Sequence, residues 1–509
     1  MDYKTKDKSE MMEYFPNYNM RQHSQKVHEL FRHCLDGQDQ VYAKILEKSD
    51  IEENLEYSSV IYISLITENM LAYDAGMLTD MGQDNAKSQY RPYFIEFAVD
   101  MNHITQETYR RLTAPNNIGQ WFEAAFSEGL GPIDNESITV KGIVITSASP
   151  FEFRGRQICI KAGHPANKIT KKIKRLYNTS RVCLKIAFRQ LCVPLCGRFG
   201  PDEGGVAGYV DRMGTKYAAK WGVQMAGMNF QTRPSAIHTH TYINSLLAGY
   251  FSANDYSLSV YNVGDGNCIY IKGNDGKRIL FDIGHNCNPY SKDWKDPDIK
   301  RSQQAIRHFK PHGIILSHWD MDHLIGVMFS NDSIYEVDWI APDPNILPDC
   351  QFSVNAARIA KYLESKNILR LVDSSERNNR IYKGANISIW CGQGNVKGKR
   401  LTETNNASLI IEFDTALLPG DCEYLAFPMA MKKTAKNFMV VPHHCSAMDS
   451  STVVTNKGAS AIIPVSLRNK KRPDKDHMKD LISKGYHCQC TQSCCIVIPS
   501  IWGSYYYIR

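Results

Sequence analysis

Apolar positions in the second half of the chain follow two periods, that of a strand and that of a helix. Short stretches with apolar alternation or continuous apolar residues predict strands. These stretches are 256–263, 267–272, 278–283, 312–317, 437–442 and 460–466. Apolar residues three and four positions apart predict helices at 300–309, 323–329 and 475–485. Strands that alternate with helices suit an α/β chain folded as an αββα sandwich, with functional loops at the strand ends.

The first half has a less regular pattern, which predicts an α+β fold. Helical spacing of apolar residues recurs at 22–35, 37–55, 105–128, 168–191, 215–228 and 234–250. Segment 60–66 fits either a strand or a buried helix, and segments 137–148 and 156–163 alternate like paired strands. This half has no dense ligand cluster, phosphate-binding loop or nucleophile motif. We therefore expect it to recognise a partner or a substrate.

Four side chains that can bind metal follow the apolar segment 313–317 within six positions: His318, Asp320, Asp322 and His323. Alternation in the turn lets the first two face one point, while the last two reach a second point. Two such points, about 3.5–4 Å apart, form a binuclear centre that activates water. The carboxylate at Asp320 shifts the metal preference from Zn²⁺ toward Mn²⁺ or Mg²⁺, although zinc still binds mixed sites tightly.

The motif HWDMDHLIG (318–326) resembles the H-x-[HD]-x-D-H motif of the metallo-β-lactamase fold. Further segments resemble the hydrolase domain of ComEC-type competence proteins and occur in that family's order. They are LSVYNVGDGNCIYI (258–271), RILFDIG (278–284), NNASLIIEF (405–413), LLPGDCE (417–423) and MVVPHHCSAMDSS (439–451). The resemblance covers about residues 255–509. It implies an αββα hydrolase domain over 251–509 and a separate domain over 1–250.

The resemblance also implies roles for residues outside the first motif. Asp282 ends a strand and is expected to support a metal-bound histidine, with Asp265 nearby in a glycine turn. Asp421 is expected to bridge two metal ions with its two oxygens. Adjacent residues of an extended chain point oppositely, so we expect one histidine of a pair to bind metal. We assign His443 as that ligand and His444 to substrate contact or to protonation of the leaving group.

Three departures from the family pattern change these expectations. The glycine turn reads VGDGNC, so Asp265 has exchanged places with the amide. Cys445 replaces the usual glycine after the histidine pair. The family's final His-Pro has no match, because Arg472 precedes Pro473 at the corresponding place and the nearest histidine is His477. If Arg472 takes that place, the second metal loses a ligand and the pocket gains a fixed cation that suits phosphate.

Charge and cysteine content indicate the expected substrate and cellular compartment. The 509 residues include 60 Lys and Arg against 53 Asp and Glu, a net charge of +7. Basic clusters at 168–185, 396–400 and 467–475 neutralise phosphates or form a solvated face, and we expect Lys470 and Lys471 to contact substrate. The odd number of cysteines, 15, indicates reduced thiols and a cytoplasmic protein. No apolar run or signal-peptide pattern predicts a membrane segment.

These features favour a metal-dependent phosphodiesterase, with a nuclease acting on DNA or RNA as the leading prediction. Two divalent ions are expected, Mn²⁺ or Zn²⁺, with Mg²⁺ as an alternative. Asp322, His444 and Arg472 are the expected catalytic residues, and Ser446 donates to a phosphate oxygen or stabilises its turn. Family members without membrane segments resemble effectors of bacterial antiviral defence. Two alternatives stay open: a small-molecule metallohydrolase, and a non-catalytic or conditionally active subunit whose residues 1–250 dock a protein partner.

Overall fold

The structure is a computed structural model, and only part of the chain is described below. The described residues are 40–45, 60–66, 95–100, 104–114, 117, 121–127, 137–147, 177–191, 240–285, 296–328, 330–344, 354–394, 403–431, 436–450, 452–465, 472–491, 495–498 and 506–508. Several predictions fall outside them. They concern helices 22–35 and 215–228, strand 156–163, cluster 396–400, and residues Lys470 and Lys471.

Six antiparallel strands in the first half close into a barrel. Their bounds are β1 Gln40–Ile45, β2 Val60–Ile66, β3 Ile95–Asp100, β4 Trp121–Ser127, β5 Ser137–Ser147 and β6 Tyr177–Leu191. The strand order is β1-β2-β3-β5-β6-β4, and β4 pairs with β1 to close the barrel. Alternate residues such as Ile61, Ile63 and Leu65 are buried, because successive side chains of a strand point to opposite faces.

The barrel corrects three helix predictions. Within 37–55 the structure has strand β1, and within 105–128 a short helix α1, Gln106–Leu112, precedes strand β4. The basic helix predicted over 168–191 is strand β6 from Tyr177 onward. Segment 60–66 is a strand, and the strand predicted at 137–148 is confirmed.

Strand β6 was misread because its apolar residues fit two periods. Val182, Leu184 and Ile186 alternate with polar residues, which is the period of a strand. Tyr177–Ala187 pairs with β5 in unbroken antiparallel register. That long-range pairing satisfies the backbone over many residues and outweighs local helical propensity.

The second half contains two mixed β-sheets with helices, as expected of an α/β sandwich. Strands of the first sheet are β7 Tyr256–Val260, β8 Cys268–Gly273, β9 Arg278–Ile283, β10 Gly313–Ile315, β11 Trp339–Pro342, β12 Leu369–Val372, β20 Cys495–Ile498 and β21 Tyr506–Ile508. Strands of the second are β13 Arg380–Lys383, β14 Ile387–Cys391, β15 Leu409–Phe413, β16 Ala416–Leu418, β17 Phe438–Val440, β18 Ser460–Ile463 and β19 His487–Cys490. The orders are β12-β11-β10-β9-β8-β7-β20-β21 and β13-β14-β15-β16-β17-β18-β19.

Helices connect these strands largely where the apolar spacing predicts them. They are α2 His240–Tyr250, α3 Pro297–Arg307, α4 Met321–Leu324, α5 Val354–Ser365, α6 Glu403–Asn406 and α7 Lys475–Ser483. The helix expected at 323–329 is the short α4 followed by a 3₁₀ segment, Ile325–Met328. Within the part of the chain that is described, no helix is long and apolar enough to cross a membrane.

Apolar side chains fill the space between the sheets and cover their outer faces. Phe281 and Ile315 of the first sheet share a core with Ile411 and Val440 of the second. A second cluster joins the first sheet to helices α3 and α5. A third joins the second sheet to α7 through Leu481. Each fully buried side chain of this size stabilises the fold by about 1.5–3 kcal/mol.

Helix α2 packs on the sandwich. Ile243, Leu247 and Tyr250 are buried in the core between the two sheets. The Tyr250 ring lies against Gly313, where a Cβ would be 2.4 Å from the ring carbon Cζ. Helix α2 lies at the end of the region predicted as domain 1–250, and its side chains thus belong to the core of the two-sheet region. The division of the chain into two domains stays a prediction.

Candidate metal centre

The candidate ligands lie in loops that follow parallel neighbouring strands. In the first sheet, Asp282 lies at the end of β9, and the motif 318–323 follows its parallel neighbour β10. In the second sheet, Asp421 follows β16, and the histidine pair follows its parallel neighbour β17. Parallel neighbours end at the same edge of a sheet, so each sheet brings two of these loops together.

The two edges meet at Ser317. The Leu409 N–H of the second sheet donates to the Ser317 carbonyl at 2.9 Å. Gly420 passes close to the same residue, with a positive φ of 59°. A Cβ at Gly420 would lie 2.6 Å from the Ser317 Cβ. Glycine is therefore required there for both the left-handed backbone and the close approach, which delivers Asp421 to the first motif.

Asp421 lies between two pairs of histidines. Its Oδ1 is 3.0 Å from His323 Nε2 and 3.7 Å from His444 Nε2. Its Oδ2 is 4.0 Å from His318 Nε2 and 3.7 Å from His443 Nε2. Each carboxylate oxygen thus faces its own pair, which is the arrangement expected of a bridging carboxylate.

One group of four is compact enough to hold an ion. Asp322, His323, Asp421 and His444 each offer a ligand atom, and these atoms all lie within 4.8 Å of one another. Asp322 Oδ2 is 3.4 Å from His444 Nε2. Ligands about 2.1 Å from a tetrahedral metal are separated by roughly 3.4 Å. The separations of 3.0, 3.4 and 3.7 Å within the group lie around that value, so small side-chain shifts would complete a coordination shell.

Three buried histidine nitrogens have no hydrogen-bond partner: the Nε2 atoms of His318, His323 and His444. The opposite nitrogen of His323 contacts Asp282 Oδ2 at 2.8 Å, and that of His444 contacts the Pro464 carbonyl at 2.9 Å. Both partners accept hydrogen bonds, so Nδ1 of each ring carries a proton, and Nε2 presents a lone pair once the ring is neutral. Buried Nε2 atoms that face carboxylates require a positive charge between them, either a proton or a cation, so the residues fit a metal ion.

The electrostatics of the site lead to the same conclusion. Burial alone lowers the pKa of His323, but the carboxylates of Asp421, Asp282 and Asp322 outweigh it and raise that pKa well above its ordinary value. Burial raises the pKa of Asp421, but His323, His444 and His443 together outweigh it and hold that pKa well below its ordinary value. The pocket stabilises positive charge, so a divalent ion competes with a proton for it.

Asp282 supports the candidate ligands through hydrogen bonds to Ser317 and His323. Its Oδ1 accepts from the Ser317 N–H at 2.6 Å. Its Oδ2 accepts from Ser317 Oγ, Asn267 Nδ2 and His323 Nδ1, each at 2.8 Å. Asn267 is not among the residues predicted from the sequence, which favoured Asp265 in this turn. A carboxylate has no proton to donate to Asp282, whereas the amide does. The exchange of acid and amide in VGDGNC was the available signal.

Both histidines of the pair face Asp421, which corrects the expectation that they point oppositely. His443, His444 and Cys445 have φ values of 50°, 52° and 59°, so the chain there is a left-handed turn and not an extended strand. His444 belongs to the compact group of four. His443 Nε2 lies 3.3 Å from Arg472 Nη2. The compact group therefore contains His444, and the assignment of His443 as a metal ligand stays a prediction.

Three further residues singled out from the sequence, Asp320, Ser446 and His477, differ in their relation to this centre. Asp320 Oδ2 lies 3.4 Å from His318 Nε2. Ser446 Oγ is buried and has no hydrogen-bond partner. His477 does not reach the centre, because its Nδ1 contacts the Ser446 carbonyl at 2.8 Å and its Nε2 contacts Tyr424 Oη at 3.0 Å. His477 thus braces the turn that carries the histidine pair.

Comparisons with known proteins add little to this geometry. A family of unknown function, DUF6783, matches residues 184–243, and no curated protein matches the chain. A solved structure of a new diphosphatase from the PhnP family is 12% identical, with a TM-score of 0.26, over 47% of this chain and 86% of that chain. So low a TM-score supports no argument about function. The resemblance to ComEC-type domains stays an expectation.

Proposed function

We propose that the chain is a metal-dependent hydrolase with a metallo-β-lactamase-type αββα domain, and that it cleaves phosphodiesters, with nucleic acid as the first substrate class. The observation that carries the proposal is the compact group Asp322, His323, Asp421 and His444, in which buried Nε2 lone pairs face carboxylates. A divalent ion bound there supplies Lewis-acid chemistry, which acidifies water and neutralises charge that develops at the scissile group.

Exposure distinguishes one member of this group. The Asp322 side chain is 26% exposed, whereas those of His444 and Asp421 are at most 4% exposed. Burial raises the pKa of Asp322, but His323 and His444 together outweigh it and lower that pKa below its ordinary value. Asp322 is therefore ionised and partly open to solvent, so it can accept a hydrogen bond from the attacking water and orient it.

The preference for phosphodiesters rests on donors near the centre. The Arg472 guanidinium lies beside His443, and guanidinium groups match phosphate oxygens with a planar fork of donors. Ser446 Oγ is buried without a partner, so it has a hydrogen available for a further oxygen. Mixed imidazole and carboxylate ligands accept Mn²⁺ or Zn²⁺, with Mg²⁺ as the harder alternative.

The deciding experiment loads the metal-free protein with Mn²⁺, Zn²⁺ or Mg²⁺ and offers single-stranded DNA, duplex DNA, RNA, bis-(p-nitrophenyl) phosphate, a lactam and a thioester. We expect hydrolysis with at least one metal and its loss in Asp322→Ala, with the melting temperature unchanged. Asp298→Ala is the matched control, since Asp298 lies in helix α3 away from the centre. Cleavage of lactams or thioesters alone would favour a small-molecule hydrolase. Tight metal binding without any hydrolysis would favour a non-catalytic subunit.

Contact with nucleic acid and with a protein partner are further parts of the proposal. The basic segment 467–475 is expected to hold the phosphate backbone, and the first 250 residues to recognise the partner. Changing Lys470, Lys471 and Arg472 to Glu should weaken nucleic-acid binding and flatten its salt dependence, because each lost phosphate contact lowers the slope by about 0.7–0.9. Unchanged binding would indicate a small substrate. A role in antiviral defence would appear as phage protection that depends on Asp322.

A further inference from the structure

The two sides of Asp421 are not equivalent. On the Oδ1 side, two histidines and Asp322 complete the group of four. On the Oδ2 side lie His318 and His443, with Asp320 next to His318. Among the residues that the structure describes, only the Oδ1 side forms a compact group of potential ligands.

Arg472 accounts for the difference. Its Nη2 lies 3.3 Å from His443 Nε2. A guanidinium has donors and no acceptor, so in this contact Nε2 accepts. A neutral imidazole has one ring lone pair, and on His443 Nε2 that lone pair is directed at Arg472. His443 therefore cannot give it to a metal at the same time, and the Oδ2 side loses one of its four candidate ligands.

The position of Arg472 is built into the fold. Two residues later, the Asp474 N–H donates to the Cys445 carbonyl at 2.7 Å, which ties the segment to the histidine turn. The Asp474 side chain also caps helix α7 by accepting from the Asp476 and His477 N–H groups. The backbone next to Arg472 is thus held from both the turn and the helix, and its guanidinium contacts His443.

We propose that the centre holds one resident metal ion, on the Oδ1 side of Asp421, and that Arg472 replaces the second ion on the Oδ2 side, where it binds an anionic oxygen of the substrate. An arginine is always protonated, so it repels a second dication and attracts an anion. The substrate class that follows has a negatively charged oxygen on the reacting phosphorus. Neutral lactams and thioesters lack such an oxygen. This inference rests on the proposed function.

Metal content and phosphate binding test it without any hydrolysis assay. Metal-free protein dialysed against Zn²⁺ or Mn²⁺ should retain one ion per chain by elemental analysis. Arg472→His removes the cation and adds an imidazole, so this variant should retain two. Calorimetric titration with inorganic phosphate should show binding to the one-metal form. We expect Arg472→Gln to weaken it at least tenfold and Arg472→Lys to weaken it less.

Arg301→Gln is the control, because Arg301 is an exposed guanidinium paired with Asp298 on α3 and should leave metal content and phosphate binding unchanged. Two ions per wild-type chain would overturn the inference without reference to any variant. So would phosphate affinity that is equal in Arg472→Gln and wild type. A wild-type protein that cleaves phosphodiesters with two ions keeps the proposed function and loses the inference. One ion per chain and arginine-dependent phosphate binding without any hydrolysis would keep the inference and contradict the proposed function.

Discussion

Replacing Asp282 with Asn should weaken metal binding far more than it disturbs the backbone. The Asp282 carboxylate accepts from the Ser317 N–H, the Ser317 hydroxyl, the Asn267 amide and His323 Nδ1. Asparagine has nearly the same shape and tolerates the left-handed backbone at this position, where φ is 58°. The Ser317 N–H still needs an acceptor, so the amide oxygen takes the place of Oδ1. An NH₂ group then occupies the place of Oδ2.

Two of the three groups that face this NH₂ can reverse their roles. The Ser317 hydroxyl rotates, and Asn267 can turn its amide because its Oδ1 is buried without a partner. His323 can adapt only by moving its proton from Nδ1 to Nε2, which removes the lone pair needed by the metal. One charge-assisted hydrogen bond is lost, which costs about 1.5–3 kcal/mol of stability. Loss of such a supporting contact typically lowers metal affinity about 10–100-fold.

Urea denaturation of the metal-free protein and calorimetric titration with Zn²⁺ measure the two effects separately. Asp296→Asn is the matched control, since Asp296 caps helix α3 by accepting from the Asp298 N–H and Asn caps equally well. Both quantities should be unchanged in the control. If Asp282→Asn folds and keeps a Zn²⁺ dissociation constant within twofold of wild type, Asp282 does not set the His323 tautomer. The reasoning about the buried lone pairs would then be wrong.

Three other predictions follow from single features. Gly420→Ala adds a close contact to a left-handed backbone and should lower the free energy of unfolding by about 2–5 kcal/mol. The control Gly276→Ala has φ of 85° and no atom within 4 Å of the added Cβ, so it should lose only the backbone part; equal losses in the two variants would contradict this. Because carboxylates raise the pKa of His323, metal should displace a proton from this residue and bind more tightly as pH rises toward that pKa. Calorimetry at pH 7 in buffers of different ionisation heat should detect the released proton, and the absence of proton release would refute this prediction. A fragment of residues 240–509 should unfold cooperatively, whereas 251–509 lacks the three buried side chains of α2 and should be less stable by about 4.5–9 kcal/mol. Equal stability of the two fragments would rule out that role of α2.

The sequence predicts the sandwich better than the barrel for a physical reason. Strands such as Arg278–Ile283 are buried over nearly their whole length. They are therefore nearly continuous apolar segments, which can be found in the sequence without any alternating pattern. Barrel strands such as Tyr177–Leu191 are defined by pairing with partners far along the chain. Lysine and arginine between their apolar residues also fit a helix. Local spacing cannot distinguish the two when the deciding contacts are non-local.

The candidate site divides in the same way. The ligands of the motif 318–323 lie within six positions, so local spacing is sufficient to find them. The orientation of the histidine pair depends on three left-handed residues, and nothing in a run of His and Cys indicates such a turn. The contact between Arg472 and His443 depends on the cap of a later helix and its bond to Cys445. A sequence comparison locates Arg472, but only the fold shows which lone pair it takes.

The backbone at the centre explains why metal binding and folding should be linked. His443, His444 and Cys445 are left-handed without being glycine, and each such residue costs on the order of 1–3 kcal/mol. The turn persists because the Ser446 N–H bonds the His443 carbonyl at 2.9 Å and because His477 holds Ser446. This strained turn places the Nε2 atoms of His443 and His444 each 3.7 Å from an oxygen of Asp421. Without a metal ion, the buried Nε2 of His444, which has no hydrogen-bond partner, adds to that cost, so the metal-bound form should be the more stable one. Its gain over the metal-free form should grow with free metal concentration as binding linkage requires.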